Sequence, residues 1–79
     1  MYREFLVVFG GDPKKVTVNL RKVLFFHEKA ESFLLYPAKK KIGQTVVYLE
    51  GASVPLVLLM EYNEFVEIMS EGASLHRVM

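Results

Sequence analysis

The sequence predicts an α+β domain, an antiparallel sheet of four to five strands with one C-terminal amphipathic helix packed on one face. Three observations lead there. Runs of aromatic and β-branched residues with a period of two fill the first three quarters of the chain. Turn formers, Gly10-Gly11-Asp12-Pro13 and Gly51-Ala52-Ser53, punctuate those runs. From Met60 the apolar period changes to that of a helix, so strands precede one helix and do not alternate with several. No repeat or linker interrupts the chain. Residues 1–79 read as a single domain, with 73–79 (ASLHRVM) a weakly patterned tail expected to fray or to dock on a partner.

The first element is Tyr2–Phe9, YREFLVVF, ended by the two glycines, which free φ, and by Pro13, which removes a donor. After Lys14 and Lys15, VTVNL alternates, with Val16, Val18 and Leu20 facing one way and Thr17 and Asn19 the other. Asn19 can accept backbone amides two or three positions ahead, so a single helical turn is expected over NLRK. VLFFHE, Val23–Glu28, resumes the alternation with Val23, Phe25 and His27 opposite Leu24, Phe26 and Glu28. SFLLYP follows the polar link Lys29-Ala30-Glu31, and the two segments are expected to pair as a hairpin.

AKKKIG, Ala38–Gly43, reads as a basic loop, and QTVVYLE as a strand closed at Gly51. VPLVL should pair back against it, entering near a sheet edge or with its first residues outside the sheet, because Pro55 cannot donate to a ladder. In the last element Tyr62, Phe65, Val66 and Met69 recur three and four apart beside Ile68, and Gly72 is the expected stop. Glu61, Glu64, Glu67 and Glu71 then form an acidic helix face turned to solvent.

Composition excludes several classes of function. The chain has no cysteine and only His27 and His76 as imidazoles, which removes a disulfide framework and a zinc site and fits a reducing, cytoplasmic setting. The longest uncharged run, Gly51–Met60, falls far short of the roughly 20 residues a bilayer helix needs, so no membrane insertion is expected. The apolar run in FLVVFG is too short for an export signal. No convergent polar set suggests catalysis, no Gly-Lys-Ser/Thr element follows Gly10-Gly11, and the serines lack a nucleophile-elbow context. A non-enzyme without cofactor or metal is expected.

What the residues do suggest is binding. Hydrophobic residues make up 52% of a 79-residue chain, high for a molecule that exposes so much of itself. The bulky groups fall on both faces of their strands, and one helix covers only one face. Phe25, Phe33, Leu35, Tyr36 and Tyr48 are therefore candidates for a protein interface, most simply that of a homodimer. Net charge is only +1, but it is unevenly spread. Lys14, Lys15, Lys39, Lys40 and Lys41 offer a weaker alternative contact to nucleic acid, because clustered cations release counterions on binding phosphates. A structural subunit of a ring or filament is the other alternative.

The segments VTVNLRKVLFFHE (16–28) and TVVYLEGASVPLVLLMEYNEFVEIMSEG (45–72) together resemble the small FlbD-type flagellar proteins. Asn19, Val23, Thr45, Gly51, Glu64, Phe65 and Ile68 are the positions that match. The resemblance implies a small accessory or regulatory protein working through protein contacts in the bacterial cytoplasm; the compactness of the chain is also phage-like.

Overall fold

The computed structural model describes residues 1–35 and 39–76. Its elements are β1 (Tyr2–Phe9), β2 (Asp12–Asn19), a 3₁₀ turn (Leu20–Lys22), β3 (Val23–Leu35), β4 (Lys40–Leu49), β5 (Leu56–Leu58) and α1 (Tyr62–His76). The five strands form one sheet in the order β2-β1-β5-β4-β3, every neighbouring pair antiparallel. The expected α+β architecture is therefore present.

Phe9 pairs with Asp12, so Gly10-Gly11 is a two-residue hairpin turn. Both glycines have positive φ (56° and 92°), the conformation a type I′ turn demands and that side chains resist. Pairing starts immediately after the turn, so β2 begins at Asp12 and carries Pro13, Lys14 and Lys15 within it. A proline is tolerated there because β2 is an edge strand.

At the end of β2, Asn19 Oδ1 accepts from the Arg21 amide at 3.1 Å and sets the 3₁₀ turn, as its side-chain chemistry predicts. That turn joins the two opposite edges of the sheet. Four interstrand steps of about 4.8 Å would separate β2 from β3 in a flat sheet, whereas three 3₁₀ residues rise only about 6 Å. The sheet must therefore curl strongly. Backbone bonds from Leu20 N to Met1 O (2.9 Å) and from Glu50 N to Lys22 O (2.8 Å) fasten the turn to both sides.

α1 lies against the concave side of this curl. Phe65 is fully buried, edge-on to Phe5 of β1 (5.7 Å between centroids) and to Phe26 of β3 (4.8 Å). It thereby bridges strands from both halves of the sheet. Val7, Val18, Leu20, Val47 and Leu58 complete the core, with Ile68 and Met69 packed on it from the helix. Glu64, Glu67 and Glu71 are exposed, as the helical period requires.

Three expectations need correction. Val23–Glu28 and the residues after Ser32 are not the two arms of a hairpin. They are one strand, β3, whose partner throughout is β4. Lys29-Ala30-Glu31 contains none of the Gly, Pro or Asn chemistry a reversal needs. The surplus residues are absorbed as a bulge, a register shift between Lys29 and Phe33 opposite Gly43. β3 ends at Leu35, which pairs with Lys40 of β4, and Tyr36, Pro37 and Ala38 fall outside the described residues.

The expected basic loop is correspondingly short, since Lys40, Lys41, Ile42 and Gly43 belong to β4. β5 lies between β1 and β4, and of the two placements expected for Pro55 the second holds, since that residue precedes the strand and stays outside the sheet. α1 runs through Gly72 to His76. Glycine weakens a helix interior by roughly 1 kcal/mol relative to alanine but keeps its amide, so it need not end one. Residues 77–79 of the expected tail lie outside the described residues.

Candidate functional site

β4 has no irregularity of its own, so its alternation sorts the β3–β4 ribbon into two faces. Thr45 and Val47 are buried on the helix side. Lys40, Ile42, Gln44, Val46 and Tyr48 are on the other, where Gln44 and Val46 are buried as well, and the register sets Leu35, Phe33, Lys29, His27 and Phe25 directly across from them. Of the expected interface residues, Phe25, Phe33, Tyr48 and the position of Leu35 thus share the face away from α1. Tyr36 lies outside the described residues.

At one end of this face the Phe25 and Tyr48 rings stack, with centroids 4.3 Å apart and planes 18° from parallel. His27 stands 5.6 Å from the Tyr48 ring. Its Nδ1 is 3.0 Å from the Glu28 carbonyl oxygen, which can only accept, so Nδ1 carries the proton. In the neutral ring Nε2 then accepts from the Tyr48 hydroxyl at 3.1 Å. Both imidazole nitrogens are committed to holding Tyr48 and the strand, which is a positioning role and not that of a free base.

Phe25 is nevertheless 57% exposed, and Leu24 beside it 61%. Strict alternation puts Leu24 with Phe26 on the helix side. The register shift between Val23 and Phe25 lets Val23 and Phe26 both pack against the core and leaves Leu24 in solvent. A cleft of about 200 Å³ opens between Leu24, Phe25 and Tyr48 on one side and Val54 and Pro55 of the β4–β5 connection on the other. It is smaller than the roughly 300–1,000 Å³ typical of small-molecule sites and is lined mainly by carbon, a shape suited to an apolar side chain of another protein. Leu24, Val54 and Pro55 escape a reading by periodicity, since two are loop residues and one is displaced by a bulge.

The charged candidates are dispersed. Lys14 and Lys15 are on β2, Lys40 and Lys41 on β4, and β1 and β5 lie between those strands. Lys39 occupies the turn before β4 with φ 51°. The single ion pair among the described residues is Lys22–Glu50 (3.1 Å), more than half exposed and worth little. Glu61 departs from the acidic face expected of it. It precedes α1, and its carboxylate accepts from the Gly43 amide at 2.9 Å. Among the described residues no three His, Asp or Glu side chains converge, and no helix is long and apolar enough to cross a membrane.

Comparison with family models, curated proteins and solved structures finds no match to this chain.

Proposed function

We propose that the protein is a small non-enzymatic regulatory or adaptor protein of a bacterial or phage cytoplasm, acting through protein–protein contacts as a homodimer. The observation that carries this reading is the exposed apolar surface of Leu24 and Phe25 beside the open cleft, on a sheet face that the helix does not cover. Exposed aromatic side chains already held in place lose little entropy on docking and are typical interface anchors. The resemblance to FlbD-type proteins points the same way.

The test is a photoreactive phenylalanine in place of Phe25, irradiated in the cells that make the protein. The expected result is a discrete protein adduct, at twice the 9.1 kDa chain mass for the homodimer and at other masses for a foreign partner. Val54→Asp, at the opposite wall of the cleft, should reduce that adduct. Labelling confined to nucleic acid, or no stronger than from the exposed Ser70 on α1, would reject the reading.

A further inference from the structure

We infer that the outer edge of β3 is a pairing edge, and that its occupant is β3 of a second copy, antiparallel, with the two-fold axis at His27. This rests on the homodimer reading and specifies the surface that forms it. β3 is 13 residues long, and it is a sheet edge. Strands of globular proteins more often run about 5–6 residues, and long open edges are usually blunted. The opposite edge is blunted in just that way, with Pro13, Lys14 and Lys15 on β2. Along Leu24–Leu35 the described residues provide no backbone partner other than β4.

The two irregularities of β3 delimit what can pair. Register shifts fall between Val23 and Phe25 and between Lys29 and Phe33, and the run between them, Phe25–Lys29, is regular against β4. His27 is the middle of that run. An antiparallel two-fold pairing must set one residue against its own copy, because opposed side chains share a face. Centred on His27, it places Phe25 opposite Lys29 of the second copy and Phe26 opposite Glu28.

Avoidance of like-charge pairs favours this arrangement. The run is apolar at its start and charged at its end, so antiparallel overlay brings each charge against an aromatic ring and never against its like. Parallel overlay would oppose Glu28 to Glu28 and Lys29 to Lys29, and centring on Glu28 would oppose the two carboxylates. Lys29 of the second copy arrives beside the face built by Phe25 and Tyr48, where a cation is favourable. Leu24 and Phe25, exposed in the single chain, stand at the margin of the joined sheet.

The chain has no cysteine, so single cysteines report this geometry directly. Opposed residues of an antiparallel pair have Cα atoms about 4.5–5.5 Å apart, within disulfide range. His27→Cys should form a disulfide-linked dimer under mild oxidation roughly tenfold or more faster than Lys14→Cys on the other edge, since pairing raises the local thiol concentration. Phe25→Cys mixed with Lys29→Cys should yield the mixed dimer in preference to either homodimer. Circular dichroism checks that each variant, at exposed Lys14, Phe25 and His27 and at half-buried Lys29, is folded, and sedimentation of the wild type over a hundredfold dilution should show a monomer–dimer equilibrium. A dimer by sedimentation whose His27→Cys form links no faster than Lys14→Cys would overturn the edge assignment while leaving the homodimer reading standing. A monomer at every concentration would overturn both, and the foreign-partner adducts at Phe25 remain a separate readout.

Discussion

The Gly43 amide donates to the Glu61 carboxylate at 2.9 Å, tying β4 to the residue immediately before α1. The Glu61 carbonyl meanwhile accepts from the Glu64 and Phe65 amides (3.1 and 3.2 Å). Its backbone starts the helix while its side chain anchors that start to the sheet. Gly43 does not have positive φ; a β-carbon there would run into the Glu61 carboxylate. A side chain there would push aside the flexible end of Glu61 and with it this hydrogen bond, so the glycine matters for the contact and not for backbone freedom. Thr45 Oγ1 reinforces the joint by donating to Met60 O (3.0 Å), while Gln44 Nε2 donates to Glu31 O (2.9 Å) across the β3–β4 ribbon.

Gly43→Ala and Glu61→Ala should each destabilise by about 1 kcal/mol, the net worth of a hydrogen bond to an exposed charged group. The double variant should be no worse than the poorer single one, because both remove the same bond. With Glu61 already alanine, Gly43→Ala should be neutral or slightly stabilising, since alanine lowers the entropy of the unfolded chain. Urea unfolding of the four proteins measures the cycle; strict additivity would mean that the two residues act separately.

Thr45 has no exposed surface, and its hydroxyl bonds the last carbonyl before the helix linker. Thr45→Val keeps the shape and strands that bond, for an expected loss of about 1–3 kcal/mol. Thr45→Ser keeps the bond and loses a methyl, for about 1 kcal/mol. Urea midpoints at unchanged slope should rank Ser above Val, and the reverse order would show that packing rather than the hydroxyl holds this site.

Phe65→Ala should be the most damaging single change, with a loss of about 3–5 kcal/mol. For a chain this small that is a large part of the total. The variant should lose its cooperative thermal transition, whereas Phe65→Leu should retain one at a lower midpoint. A sharp transition for alanine near the wild-type temperature would contradict the bridging position of this ring between Phe5 and Phe26.

Gln44→Ala should loosen the outer part of the ribbon without loosening the core. Beyond Glu31 and Gly43, among the described residues, the strands β3 and β4 pair only with each other, and a two-stranded ribbon is marginal in water. Hydrogen exchange should accelerate for Phe33–Leu35 and Lys40–Ile42 while the Val7, Val47 and Leu58 amides keep their protection. Uniform acceleration across the molecule would show that the Gln44 bond supports the whole fold.

Much of the fold was legible because short-range chemistry suffices for it. Period two marked the strands, the Gly10-Gly11 pair marked a turn, the Asn19 side chain marked the 3₁₀ turn, and the spacing from Tyr62 to Met69 marked the buried stripe of α1. Hydrophobic surplus pointed to Phe25, Phe33 and Tyr48. The unity of β3 was not legible, since whether a polar trio such as Lys29-Ala30-Glu31 turns or bulges depends on the partner strand. The exposure of Leu24 follows from a register shift, and the anchoring of Glu61 follows from a space left by a glycine 18 residues away.

The sequence by itself determined the α+β class, the type of nearly every element and the buried stripe of α1, because those depend on side-chain chemistry and periodicity within a few positions. Only the tertiary structure decided the strand order, the curl that lets a 3₁₀ turn join the two sheet edges, and which edge remains open. Those depend on contacts between residues far apart in the chain, where one residue of register moves a side chain from the core to the surface.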